Sequence, residues 1–150
     1  MEDLIKMNLE GVRIEYPSQK PIILLKEEGG ERFLPIWIGA FEASAIALEL
    51  VHYKTPRPMT HDLIISIFDS LKVSVNYIAV TDIINDTFYA VLSLINDNGQ
   101  EINIDLRPSD AIAISVRCKC PMYASKDVIE NASLTISTIE EEVEKFKDFL

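Results

Sequence analysis

The sequence has few basic residues, two cysteines and no long apolar run. It carries 14 Lys and Arg against 24 Asp and Glu, a formal net charge of −10. An acidic surface repels phosphate backbones, so nucleic-acid binding would need a local basic patch or a divalent cation. The apolar runs, such as Ala43 to Leu48, are too short to cross a bilayer, and Met1-Glu2-Asp3 lacks the basic region of a secretory signal. We therefore expect a soluble, cytoplasmic protein without membrane contact.

Several signatures of common enzyme classes are also missing. The sequence has no Gly-rich phosphate loop, no Gly-x-Ser-x-Gly elbow, no His-Glu-x-x-His pair and no basic helix with interleaved aromatics. Cys118 and Cys120 are separated by one residue, a spacing that is poor for a disulfide and incomplete for zinc. Reduced thiols are favoured over a metal or redox role. We expect no organic cofactor.

The apolar content predicts one domain over residues 1–150, with a core from about 9 to 130. At 48% hydrophobic residues, 150 residues can bury a full core. Alternating apolar residues predict strands at 12–16, 22–25 and 33–38, and a helix follows from Phe41 with an apolar stripe at Phe41, Ala45 and Leu48. The first half is thus predicted as strand, strand, strand, helix.

The second half repeats that order after a linking helix. Prolines exclude a helix at 56–60, and Thr60 caps a helix whose apolar residues are Ile64, Ile67, Phe68 and Leu71. Strands are predicted at 73–80, 87–95 and 101–106, with turns at 85–86 and 96–99, before a helix from Ser109. We predict an α+β fold, a mostly antiparallel sheet with helices packed on it, and an internal duplication of this unit. Chance similarity of two short alanine-rich segments is the alternative.

The residue pattern of the C-terminal segment predicts an amphipathic acidic helix over about 137–150. Its apolar stripe is Ile139, Val143, Phe146 and Leu150, backed by glutamates. Such a helix packs on its own domain or forms a dimer contact. We expect a homodimer.

The segment from Ile104 to Ile114 is the strongest functional candidate. A strand ends there and a helix begins, so Asp105, Arg107, Ser109 and Asp110 lie beside unpaired N–H groups at the positive end of the helix dipole. Such a junction can hold an anion or a metal-bound phosphate. Helix capping alone also explains Ser109 and Asp110, since both are common first-turn residues. Strand alternation places Asp105 on the face away from the core.

Two further sets of residues suggest phosphodiester chemistry. Carboxylates that converge from several elements would hold a divalent cation, Mg²⁺ or Mn²⁺, which neutralises phosphate and activates water; the candidates are Glu42, Asp62, Asp86, Asp105 and Asp110. Ordinary solvated surface is the alternative for such acids. His61 can move protons and Arg57 can hold a phosphate. The competing expectation is that His61 and Asp62 lie in an exposed first helical turn, where the helix dipole favours an acid.

Four motifs in order resemble the bifunctional nuclease domain family over roughly 12–128. They are Leu34-Pro35-Ile36-Trp37-Ile38-Gly39, Arg57-Pro58-Met59-Thr60-His61-Asp62-Leu63, Asp86-Thr87-Phe88-Tyr89-Ala90 and Arg107-Pro108-Ser109-Asp110-Ala111-Ile112-Ala113. The resemblance implies a small α+β domain with nuclease activity on DNA and RNA. It supplies no assigned catalytic set, but adds weight to the polar positions within these motifs, and Glu42 matches an acid of the family pattern.

We therefore predict a non-specific nuclease assisted by a divalent metal. Its catalytic residues would be His61, Asp105, Arg107 and Asp110, its substrate-binding residues Arg57 and Ser109, and its metal ligands Asp105, Asp110, Glu42 and Asp62. The alternative is a non-catalytic regulatory or protein-interaction module, in which an Arg107–Asp110 pair ties a structural corner and the acidic surface meets a basic partner.

Overall fold

The computed structural model describes residues 3–135 and 146–148. Its strands are β1 (Leu4–Glu15), β2 (Lys20–Glu27), β3 (Arg32–Trp37), β4 (Ser74–Ile84), β5 (Thr87–Ile95), β6 (Glu101–Leu106), β7 (Met122–Ser125), β8 (Leu134–Thr135) and β9 (Phe146–Asp148). Its helices are α1 (Ala40–Leu50), α2 (Thr60–Ser70), α3 (Pro108–Cys118) and α4 (Lys126–Ala132). The α+β fold predicted from the sequence is confirmed.

All described strands belong to one sheet, in the order β6-β5-β4-β7-β1-β2-β3-β8, with β9 beside β1. Two antiparallel meanders, β1–β3 and β4–β6, form its halves. Strand β7 joins them, since it runs parallel to β4 and antiparallel to β1. The β4–β5 turn places Asn85 and Asp86 at φ of 51° and 62°, as a tight two-residue hairpin loop requires. The predicted turn at 85–86 is thereby confirmed.

The core lies between the sheet and the helices α1 and α3, which pack on each other and on the strands. Small residues face this contact, because Ala43, Ala47, Ala111 and Ala113 are all buried. Short side chains let the two helices approach closely. The apolar stripe predicted for α1 is wrong at Phe41, whose side chain is 89% exposed. The contact with α3 turns the alanine face of α1 inward and leaves Phe41 at the rim.

The order strand, strand, strand, helix occurs twice, as predicted, but the duplication itself remains a prediction. The elements β7, α4 and β8 were not predicted, because they are too short for a periodic signal. The predicted C-terminal helix lies mostly outside the described residues. Where it can be compared, at Phe146–Asp148, the prediction is wrong: these residues pair with Arg13–Glu15, an edge of β1 that β7 does not reach. The homodimer also remains a prediction.

None of the helices in the described part of the chain has the length and apolar character that a bilayer span requires.

Candidate functional site

Three helix N-termini meet at one place on the helix-covered face of the sheet. Helix α1 starts after Gly39 and brings Glu42 in its first turn, α2 brings His61, and α3 starts after Arg107 and brings Asp110. Pro108 occupies the first position of α3, where its missing N–H costs no hydrogen bond. We call Glu42, His61, Arg107 and Asp110 the polar cluster. The starts of α1 and α3, which follow the two similar units, thus face each other.

His61 and Asp110 form the buried centre of the polar cluster. Nε2 of His61 lies 2.9 Å from Oδ1 of Asp110, although 49 residues separate them in sequence. His61 is 7% exposed, so the expectation that it lies in an exposed first turn is wrong. A carboxylate that accepts from one ring nitrogen fixes the orientation of the imidazole and leaves the other nitrogen for chemistry.

Arg107 forms the outer layer of the cluster. Its Nε and Nη2 donate to Oδ2 and Oδ1 of Asp110 at 2.9 and 3.2 Å, and its Nη1 lies 3.7 Å from Oε1 of Glu42. The hydrogen bonds to Asp110 raise the pKa of Arg107. Its side chain is nevertheless 66% exposed. A guanidinium held in this way keeps a face open to an anion from solvent.

Asp110 is ionised at neutral pH despite its partial burial. Burial raises the pKa of this carboxyl, but the hydrogen bonds from Arg107 and His61 outweigh burial, and the net pKa is lowered. The cluster therefore has a formal charge of −1 with neutral His61 and 0 with protonated His61. It is a balanced acid–base group rather than a strongly cationic patch.

Asp62 belongs to a separate structural contact. Its Oδ1 accepts from Nε of Arg117 at 2.8 Å and its Oδ2 accepts from the Met59 amide at 3.0 Å. Burial raises the pKa of Asp62, but these hydrogen bonds lower it overall. Arg117 also donates to the carbonyls of Ala113 and Ala45 at 3.0 and 3.1 Å, and its side chain is only 6% exposed. Arg117 thus ties α1, α2 and α3 together.

Asp105 lies on the opposite face of the sheet from the polar cluster. Its neighbours Ile104 and Leu106 line the cavity beside the cluster, and alternation along β6 points Asp105 the other way. Its partner on β5, Val91, likewise lines a depression on that other face. The structure therefore does not bring Asp105 to Asp110.

The predicted metal ligands are consequently not assembled. Asp105 faces away, Asp62 is bound by Arg117, and the oxygens of Asp110 accept from Arg107 and His61. Within residues 3–135 and 146–148, no group of three or more His, Cys, Asp or Glu side chains is arranged to hold a metal ion. The described donor set does not fit a resident divalent cation. The divalent cation remains a prediction.

The two predicted substrate-binding residues, Arg57 and Ser109, do not line the cavity beside the polar cluster. Arg57 is exposed in the segment between α1 and α2 and does not line the cavity beside the cluster. Ser109 is buried and lines a smaller cavity of about 410 Å³, together with Asp86 and Trp37. Arg107 borders both cavities. Of the predicted site, His61, Arg107, Asp110 and Glu42 come together.

A large apolar cavity adjoins the polar cluster. It has a volume of about 850 Å³ and lies between α2 and the end of the sheet formed by β5 and β6. Its apolar lining includes Ile64, Phe68, Leu92, Leu94, Ile104 and Leu106. The polar cluster and Phe41 also line it. An apolar pocket with a few convergent polar groups is the common form of a ligand site.

Comparison with known proteins gives one consistent family. A family model described as a bifunctional nuclease domain matches residues 23–137. An uncharacterized protein of Mycobacterium tuberculosis is 41% identical over 155 residues, covering 97% of this chain and 92% of the relative. Bifunctional nuclease 1 of Oryza sativa subsp. japonica is 28% identical over 77% of this chain, and bifunctional nuclease 2 of Arabidopsis thaliana is 29% identical over 74%. The match covers 35% and 34% of these two plant proteins.

Proposed function

The chain belongs to the bifunctional nuclease domain family, and on that premise we propose that it hydrolyses phosphodiester bonds of nucleic acids at the polar cluster. One observation carries the assignment: a buried His61–Asp110 pair lies directly beside the exposed guanidinium of Arg107. A proton-transfer group next to a phosphate-binding group is the minimum that phosphodiester hydrolysis needs.

In this proposal His61 acts first as the general base and then as the general acid. Asp110 engages Nε2 and leaves Nδ1 to accept a proton from a water molecule as its oxygen attacks phosphorus. The bond from phosphorus to the leaving oxygen breaks, and the imidazolium then returns a proton to that oxygen. The ionised Asp110 stabilises the imidazolium between the two transfers. One water is consumed and neutral His61 is restored.

Arg107 stabilises the charge that develops on phosphate. Its planar fork matches two phosphate oxygens, and its anchorage by Asp110 and Glu42 fixes the fork before substrate arrives. Stabilisation of developing charge by preorganised donors supplies much of the rate enhancement of many hydrolases. Since the described donor set does not fit a resident cation, no step of this proposal passes through a metal.

Cleavage by the wild-type protein tests the function. Labelled single-stranded DNA, duplex DNA and RNA would each be incubated with the purified protein in Mg²⁺, Mn²⁺ or EDTA. The proposal expects cleavage that coelutes with the protein. Activity retained in EDTA would show that the cluster suffices, and activity restricted to one cation would support the sequence prediction of a metal. Absence of cleavage under all conditions would remove the nuclease assignment.

A non-catalytic regulatory or interaction module is the second candidate. The observation in its favour is that Arg107 and Asp110 do form the paired corner that this alternative requires. If that corner were the purpose of Arg107, its removal would lower the melting temperature by several degrees. The exposure of Arg107 favours the opposite result, because exposed ion pairs contribute less than about 1 kcal/mol.

We therefore expect Arg107→Ala to change activity rather than stability. The rate of cleavage should fall about 10²- to 10³-fold, as on removal of one charge-stabilising donor. The melting temperature should change by less than roughly 4 °C. Arg107→Lys should recover only part of the rate, since ammonium keeps the charge but not the fork. A large loss of melting temperature with unchanged kcat/KM would favour the structural corner.

A further inference from the structure

The apolar cavity is not needed for water attack on phosphate, so the hydrolytic step does not explain it. Its volume of about 850 Å³ lies within the range of small-molecule sites. It opens beside Arg107 and is walled by Leu92, Leu94 and Ile104. Whatever fills it must present an apolar, flat or compact body next to a phosphate.

Charge argues against a long stretch of nucleic-acid backbone at this site. Among the described residues that line the cavity, Arg107 is the one Lys or Arg, and Glu42 and Asp110 offset its charge. Duplex-binding proteins usually neutralise several phosphates, and this chain has a net charge of −10. The site is therefore built for one phosphate, and the remaining binding energy must come from apolar contact.

Phe41 offers that contact at the cavity wall. It directly precedes Glu42, the residue next to Arg107, and its side chain is 89% exposed. An exposed aromatic ring beside a phosphate-binding group is the usual platform on which a single-stranded base stacks. A base in a duplex would first have to leave its own stack.

We propose that the substrate is single-stranded nucleic acid, with one unstacked base in the apolar cavity against Phe41 and its adjoining phosphate on Arg107. This inference rests on the proposed function, because it requires a nucleic-acid substrate. It assigns the cavity to base binding and the polar cluster to hydrolysis. Duplexes are then poor substrates because each bound base must be extracted from its pair.

Fluorescence of 2-aminopurine tests the base site independently of cleavage. This base emits weakly while stacked on its neighbours, and its emission rises when it leaves the stack. A short DNA strand with one central 2-aminopurine would be titrated with protein in EDTA, alone and annealed to its complement. We expect an emission rise with the single strand and none with the duplex.

Two variants and one control locate the effect. Phe41→Ala should weaken single-strand binding at least about fivefold, as loss of one stacking platform does. Ile104→Trp, at a 42% exposed position of the wall, should fill the cavity and suppress the emission rise without unfolding the protein. Tyr53→Ala removes an aromatic ring that is 59% exposed and outside the cavity. It should change neither single-strand binding nor the emission rise.

Cleavage of the same strands separates this inference from the proposed function. Equal cleavage of duplex and single strand, with Phe41→Ala as active as wild type, would overturn the base site and keep the nuclease. An emission rise without cleavage would keep the base site and remove the hydrolytic function. Binding of neither strand would overturn both. A dimer that dissociates on Phe41→Ala, with no change in emission, would assign the cavity to a second copy of the chain and overturn the inference.

Discussion

We expect Asp110→Ala to lower the rate of phosphodiester cleavage by about 10²- to 10⁴-fold while the protein remains folded. The reason is that Asp110 contacts both working parts of the cluster, His61 at 2.9 Å and Arg107 at 2.9 Å. Without this carboxylate the imidazole loses the partner that orients it, and the guanidinium loses its anchor. The measurement is kcat/KM on labelled single-stranded DNA and RNA, with circular dichroism as the check on folding.

Asp105 provides a matched control for this prediction. It is another carboxylate, five residues earlier in the sequence, but it lies on the opposite face of the sheet. Asp105→Ala should therefore retain wild-type activity, although the sequence alone assigned both acids to the same site. If both variants lost activity equally, or if Asp110→Ala remained fully active, the cluster would not be the catalytic site.

Arg117→Ala is expected to have the largest effect on stability. Its guanidinium is buried and holds Asp62 together with the carbonyls of Ala45 and Ala113. Removal leaves Asp62 without its cationic partner and the two carbonyls without this side-chain donor, and should cost about 3 kcal/mol of unfolding free energy. For a domain of this size the melting temperature should fall by roughly 6 to 12 °C, measured by thermal denaturation.

Arg117→Ala also tests whether the activity belongs to this protein. Because Arg117 lies outside the polar cluster, the variant should cleave at low temperature and lose activity at a lower temperature than wild type, in step with its melting curve. Arg57→Ala, which removes an exposed arginine, should change the unfolding free energy by less than about 0.5 kcal/mol. Its melting curve and the temperature dependence of its activity should match those of wild type. Activity that survives the unfolding of Arg117→Ala would come from a contaminant.

Features set by neighbouring residues were predictable from the sequence. The strand β6 was predicted at its observed bounds because alternation of Ile102, Ile104 and Leu106 is a local signal. The start of α3 followed from Pro108, and the proximity of Arg107 to Asp110 followed from three-residue helical spacing. The family was likewise predicted correctly from four short motifs.

Contacts between distant residues were not predictable in the same way. Sequence spacing cannot reveal that Arg117 binds Asp62, which is 55 residues away, and this pairing removes Asp62 from the predicted metal set. The same holds for the contact of His61 with Asp110, which is 49 residues away. One feature of the sequence did point to Arg117. It lies seven residues after Asp110, so both side chains are on the same face of one helix. The apolar cavity is formed by residues from three helices and two strands, and no single segment encodes it.

A double-mutant cycle would show whether His61 and Asp110 act as one catalytic unit, on which the proposed function depends. Cleavage rates would be measured for wild type, His61→Ala, Asp110→Ala and the double variant on one single-stranded substrate. Residues that act together give strongly non-additive losses. We predict that the double variant is no slower than the slower single variant. Losses that multiply, or full activity in His61→Ala, would contradict a shared catalytic role.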